Sequence, residues 1–293
     1  MRNFVITSDT NSDLPKEYIE KYGTVLIPQY YSFDNIVYGD EIHMAPNDFY
    51  QKMKDGGLPQ SQANNPAVIE DKFREILDKG MDIIHIAFSS ALSGSYNNVC
   101  MVANELLEEY KDAKITIIDS LTASLGESIL IVRANELKEQ GSSYDDIVNT
   151  INGLVNTINA QFCVNDMFHL ARGGRISKTT AIIGSTLNLK PLIIINSAGG
   201  LTSDGTVRGK KKVLRTMLER MQATIDDNTD YTLPVGIVHS LCLEEAQALA
   251  ELIKENTNYK NIMINDISPS IGAHTGPGAL GLLYSGTAKP AAK

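Results

Sequence analysis

The chain has 293 residues, 43% of them hydrophobic, and a formal net charge of −9. That length exceeds what one core usually organises and predicts two domains; the lack of any apolar run of about 18 residues excludes a membrane-spanning helix. The acidic balance argues against a general nucleic-acid binder, whose affinity rests on Lys and Arg neutralising phosphates. Cys100, Cys163 and Cys242 are far apart and lack C-x-x-C spacing, so neither a disulfide framework nor a zinc site is indicated. The amino terminus enters a strand-like run directly, without the apolar region of a secretory signal, which predicts a cytoplasmic protein.

Phe4-Val5-Ile6 reads as the first strand. Ser8 to Pro15 reads as a loop entering a short helix, with Pro15 in its first turn and Asp13 near its cap. Asp9 and Asp13 have the chemistry of metal ligands, but a loop of Asp, Ser, Thr and Asn also makes its own turns and caps, and that reading is preferred. Val25 to Pro28 follows as a strand. The aromatic segment Tyr30 to Tyr38, broken at Asp34-Asn35, reads as a hairpin or an extended arm. After a helix near Pro46 to Met53 comes the link Gly56 to Pro66, whose prolines and amides predict irregular backbone. A helix from Val68 leads into Asp82 to Phe88, nearly continuously apolar, as a strand covered on both faces is.

Ser89-Ser90-Ala91-Leu92-Ser93-Gly94-Ser95 then precedes an amphipathic helix. A loop joining strand to helix in this way opens at the carboxyl end of a parallel sheet, where ligands of α/β proteins bind. Ile115 to Ile118 and the hydroxyl-rich loop Asp119 to Gly126 repeat the pattern, and a helix from Ser143 closes residues 1–159 as a parallel-sheet, Rossmann-like α/β domain. Residues 160–287 read as a second α/β domain, a mixed sheet with helices on one side and a hairpin turn at Gly199-Gly200; residues 288–293 read as a frayed tail.

The serine loop has three readings from residues alone: a nucleophile, a phosphate cradle, or a helix cap. Ser93 and His274 are two members of a possible triad, but no G-x-S-x-G accompanies them. Gly276 to Gly281 spells G-x-G-x-x-G too near the carboxyl end for a βαβ unit to follow. His85 and His239 fall in apolar strand patterns and read as core. Arg172 and Arg175 flank Gly173-Gly174, either a helix stop or an anion contact. Arg208 to Lys212 with Arg215 forms a basic cluster, either a solvated helix start or a docking patch.

Several motifs together resemble the DegV family of bacterial fatty-acid-binding proteins: Thr7 to Leu14, Ser89 to Tyr96, Asp119-Ser120 with Ala123-Ser124, Gly173 to Ser177, Leu189 to Leu192, Val207 to Lys211, and Ile271 to Gly281, in the family's order. The resemblance implies a DegV-like fold holding a long-chain fatty acid between two domains. It further implies a non-enzymatic protein that presents the carboxylate to a separate ATP-dependent fatty-acid kinase, which makes an acyl phosphate for phospholipid synthesis. No cofactor and no nucleic acid is implied. The carboxylate contacts implied are hydroxyls of Ser93, beside Gly94, and of Ser61 in the link; Ser90, His274 and Thr275 complete the candidate ligand set. Arg175 and Arg208 match positions associated with the kinase-facing surface. The sequence departs from the family at Gln60, where Thr is usual, and at Ala63, where Pro is usual. The competing readings are a serine hydrolase using Ser93 and a binding module for a phosphorylated small metabolite.

Overall fold

The computed structural model describes residues 2–177 and 189–292. The first half runs β1 (Phe4–Asp9), α1 (Lys16–Tyr22), β2 (Val25–Ile27), β3 (Tyr30–Phe33), β4 (Ile36–Tyr38), α2 (Pro46–Lys54), β5 (Gln60–Gln62), α3 (Pro66–Leu77), β6 (Asp82–Ala87), α4 (Ser95–Glu109), β7 (Ile115–Asp119), α5 (Leu125–Glu139) and α6 (Tyr144–Leu154). The second half contains β8 (Ile158–Cys163), α7 (Phe168–Arg172), β9 (Leu189–Ile195), β10 (Leu201–Arg208), α8 (Lys210–Gln222), β11 (Val235–His239), α9 (Leu243–Asn256), β12 (Ile262–Asp266), α10 (Pro269–Thr275) and β13 (Leu280–Ser285).

Four strands form a parallel sheet in the order β2-β1-β6-β7. The central strand β6 is buried throughout, as its apolar run requires. Its side chains alternate between two cores: Ile83 joins Phe73, Val99 and Leu106 beneath α3 and α4, whereas Ile84 and Ile86 pack with α5 on the other face. His85 is core, as its pattern predicts. It meets the Thr7 hydroxyl at 2.9 Å, and burial pushes its pKa down to about 3.

The second sheet runs β10-β9-β8-β13-β11-β12 and is antiparallel except for β11–β12. Its period-two alternation again separates two faces. Leu280, Leu282 and Tyr284 pack with Met217, Leu249 and Ile253 of α8 and α9, while Ala160 and Leu283 turn to α5. The expectation of helices on one side of this sheet therefore needs correction. Its second face is covered by α5 from the first half. That helix buries residues around its whole circumference, from Leu125 to Asn135, because it lies between two sheets. Gly236 marks the closeness of this packing: a Cβ there would lie 2.5 Å from Leu125 Cβ.

Other local expectations were met or revised by identifiable physics. Tyr30 to Tyr38 is a hairpin, with Asp34 and Asn35 both at positive φ, 50° and 66°, as a two-residue turn of matching twist demands. Gly199, at φ 77°, turns the β9–β10 hairpin. The link after Gly56 is not irregular throughout, because Gln60–Gln62 adds to β3 as strand β5. Asp13 does not cap α1; it takes a left-handed conformation at φ 52° and directs its carboxylate elsewhere. Since β8 begins at Ile158, the second sheet starts within the segment assigned from sequence to the first domain. The expected frayed tail is anchored at its start: Lys289 is 5% exposed, its Nζ donates to Leu121 O at 2.7 Å, and Ser197 N donates to Pro290 O at 2.8 Å.

Candidate functional site

A cavity of about 170 Å³ lies where the carboxyl ends of the parallel strands meet the α5-facing side of the second sheet. That space holds on the order of ten waters. Alternating residues of the second sheet, among them Ala160, Ile195, Val238 and Leu283, give it an apolar wall, and Phe88 and Leu92 close it from the serine loop. Its other end is polar, lined by Ser61, Ser93, Gly94, Arg175, His274 and Thr275.

The serine loop divides its labour. Ser89 is buried and structural: its amide donates to Thr122 O at 3.1 Å and its hydroxyl to Gly199 O at 2.9 Å, tying the loop to the β9–β10 turn. Ser90 is exposed and absent from the cavity wall, its amide bound to Asp119 Oδ1 at 3.1 Å; its expected place in the ligand set is corrected on that ground. Ser93 does line the cavity. Its Oγ accepts from Ser95 N at 3.1 Å and lies 2.9 Å from Ser95 Oγ, so its proton rests on a neighbouring hydroxyl and needs only a rotation to face a ligand. Gly94 precedes α4, and the first amides of that helix favour an anion nearby.

Across the cavity mouth, Ser61 Oγ and His274 Nε2 lie 2.6 Å apart. Strand β5 places Ser61, and α10 places His274 in its last turn. Gly173 packs flat on the imidazole, since a Cβ there would stand 2.0 Å from Nδ1. Burial, with Arg175, Arg172 and His169 nearby, pushes the His274 pKa down to about 4, so the ring is neutral at pH 7. Its Nδ1 has no protein partner among the described residues. The serine bound to histidine is thus Ser61, not Ser93, and among the described residues no carboxylate bonds the ring. The Thr275 hydroxyl is likewise buried without a partner among the described residues.

Of the two arginines expected on a docking surface, Arg175 is turned inward. Its Nε donates to Leu92 O at 2.9 Å, it lines the cavity, and burial lowers its pKa. Arg208 is exposed at the end of β10 opposite the Gly199 turn and is not part of the cavity wall. The polar end therefore combines a cation with hydroxyl donors and a neutral imidazole, an arrangement suited to holding a carboxylate and leaving it ionised.

Sequence reasoning weighed Asp9 and Asp13 as turn formers, a role Asp9 fills by accepting from Asn11 N, but foresaw neither their burial nor Glu127 behind this wall. Asp9, Asp13 and Glu127 are 1%, 6% and 0% exposed. Asp9 accepts from Phe88 N at 3.0 Å and Asn11 N at 2.9 Å. Asp13 accepts from the Ser124 hydroxyl and from Ser268 N at 3.0 Å, and its carbonyl accepts from Asn265 Nδ2 at 2.7 Å. Glu127 accepts from Ser8 Oγ at 2.6 Å. The two aspartates hold three segments that border the cavity, at Phe88, Ser124 and Ile267–Ser270. Among the described residues no acidic, histidine or cysteine cluster could hold a metal ion. Burial pushes the pKa of Asp9 and of Asp13 up to about 7 and raises that of Glu127 well above the usual range.

A pH dependence follows from these directions. A carboxyl with a raised folded pKa contributes stability that is full below its unfolded pKa and is lost as pH rises through the folded value. His85, His169, His239 and His274, with lowered pKa values, act oppositely, chiefly below about 6.5 and fading above it. Lys289, pushed down to about 8 by burial, acts above that pH. Between pH 6.5 and 7.5 the aspartates dominate, so the urea midpoint is expected to fall as pH rises across this window and to fall less in Asp13→Asn. A midpoint that rises with pH would contradict this.

A two-domain α/β protein with an apolar interior pocket ending in hydroxyls and a guanidinium is the class that this fold and site define. Residues 3–287 match the family described as "Uncharacterised protein, DegV family". The chain is 37% identical over 291 residues to a DegV domain-containing protein of Clostridium perfringens, covering 99% of each. A DegV family protein from Thermus thermophilus, described for its fatty acid binding, has a TM-score of 0.86 at 27% identity, covering 97% of this chain and 100% of that one. A fatty acid (stearic acid)-binding protein from Eubacterium ventriosum has a TM-score of 0.83 at 26% identity, covering 96% and 98%. The chain belongs to the DegV family.

Proposed function

We propose that this protein binds a long-chain fatty acid, with the acyl chain in the apolar cavity and the carboxylate among Ser61, Ser93, Thr275, His274 and Arg175. It performs no chemistry itself and presents the carboxylate, in the cytoplasm, to a separate ATP-dependent kinase that forms an acyl phosphate for phospholipid synthesis. The observation that carries the reading is one continuous cavity, apolar along the second sheet and polar at the serine loop, with a histidine that no acid bonds among the described residues. The fatty-acid ligands named for the Thermus and Eubacterium relatives agree with it.

The energetics separate the roles of the two ends. Each buried methylene contributes about 0.8 kcal/mol, so the tail supplies most of the affinity. The carboxylate must regain the hydrogen bonds it loses with water, and hydroxyls supply them while leaving an oxygen able to attack a phosphoryl donor. Arg208, exposed on the same chain yet outside the cavity, is assigned to kinase docking. Arg208→Ala is expected to lower acyl-phosphate production by a cognate kinase about ten-fold, the scale of one lost charge-assisted contact, while copurified lipid is unchanged. Loss of bound lipid from that variant would rule out the docking role.

A further inference from the structure

We propose that Gln29 is an additional head-group donor, its side-chain amide nitrogen hydrogen-bonding the ligand carboxylate beside Ser93; this rests on the fatty-acid reading above. Gln29 is 4% exposed and lines the cavity. Its backbone is fixed between β2 and β3 by a hydrogen bond from its amide to Thr10 Oγ1, 2.9 Å long. The orientation of its side chain follows from its neighbours. Ser95 Oγ is within 3.3 Å of the Asn64 amide, which can only donate, and 2.9 Å from the Ser93 hydroxyl. With those two donors directed at it, the Ser95 hydroxyl gives its own proton to Gln29 Oε1 at 2.8 Å. The carbonyl oxygen of the amide is thereby committed, and Nε2 is left as a buried donor without a protein partner among the described residues.

A buried N–H with no acceptor is costly, and such a donor on a residue that borders a ligand cavity is satisfied when its side chain turns to a ligand that brings an acceptor. The chain Gln29, Ser95, Ser93 also places this amide one hydroxyl away from the serine already assigned to the head group. A carboxylate oxygen supplies the acceptor with a charge, making the bond stronger than one to a neutral head. When Ser93 turns its proton to the ligand, Ser95 Oγ still accepts from the Asn64 amide and its own proton stays on Gln29 Oε1. Gln29 thus adds to the discrimination in favour of an ionised acid over a neutral lipid of equal chain length.

The test compares hexadecanoic acid with hexadecan-1-ol on delipidated protein by competition with a fluorescent fatty acid. Gln29→Leu is expected to weaken the acid about ten-fold and the alcohol by less than about three-fold. Gln29→Glu, which keeps the acceptor for Ser95 and the side-chain length but substitutes an oxygen for the donor, is expected to weaken the acid at least as much as Gln29→Leu. Equal losses for acid and alcohol in both variants would show a packing role only, and an unchanged acid affinity in either variant would likewise overturn the proposal. Wild-type protein that binds neither lipid would overturn the fatty-acid reading and this inference with it, an outcome distinct from wild-type binding that Gln29 variants leave intact.

Discussion

Ala160→Phe is expected to abolish binding of stearic acid while sparing decanoic acid. Ala160 sits on β8 with its side chain on the α5-facing side of the second sheet, 6% exposed and in the apolar wall of the cavity. A phenyl ring there occupies space that on the order of five methylenes would fill. At about 0.8 kcal/mol each, the loss approaches 4 kcal/mol, close to a thousand-fold in affinity. Overpacking usually costs about 1–3 kcal/mol, but a ring entering an existing cavity meets less resistance than one forced into a close-packed core. The thermal midpoint of the ligand-free variant should therefore stay near that of the wild type. Calorimetric titration with both acids reads the result. Equal affinity of the variant and the wild type for stearic acid would show that the tail does not run along β8.

The polar end gives the second large effect. Ser93→Ala alone is expected to weaken fatty-acid binding about ten-fold, and Ser61→Ala with Ser93→Ala by on the order of a hundred-fold or more, since a hydrogen bond to a charged group is worth about 1.5–3 kcal/mol. The single variant leaves the Ser61–His274 pair intact, whereas the double variant also frees His274 Nε2. Retention of copurified lipid and equilibrium titration both report the loss. Unchanged retention in the double variant would show that the carboxylate lies elsewhere, even if the protein still binds lipid. The contrast between the two variants also separates head from tail, because Ala160→Phe changes the chain-length preference and the serine changes do not.

Much of the architecture was legible because it depends on local pattern. The continuous apolar run of β6, the strand–serine–helix sequence after it and the Gly199-Gly200 turn all have signatures within a few residues of themselves. The serine loop was correctly placed at the carboxyl edge of a parallel sheet, and Ser61, Ser93, Gly94, His274 and Thr275 were brought together around one cavity. What escaped sequence reasoning depends on pairs far apart in the chain. The Ser61–His274 contact spans 213 residues and the Asp13–Ser268 contact 255, so neither partner identifies the other by spacing. Asp13 looked like a helix cap because an Asp two residues before a Pro in the first turn has that local meaning; its burial against α10 is a tertiary fact. The inward turn of Arg175 follows from the carbonyl of Leu92, again from the other half of the chain. Gln29 offered no signal, because a single Gln between two strands has no periodicity to mark it. The two-sided cover of the second sheet was hidden for a related reason: α5 belongs in sequence to the first sheet and in space to both.

The buried aspartates tie together the segments that border the cavity. Asp9 fixes Phe88 at the entrance to the serine loop, while Asp13 joins Ser124 of the first half to Asn265 and Ser268 of the second. Each replaces hydration with directed donors, which rigidifies the loops at the cost of a raised pKa. The segments around the cavity are thus joined by polar contacts, and its apolar wall packs on α5.

Native mass spectrometry of freshly purified protein tests the central claim most directly. The account predicts a bound mass equal to that of a long-chain fatty acid, one per chain, displaced by added stearic acid and lost on delipidation. Protein that carries no such mass, and that takes up none when long-chain acids are added, would contradict it.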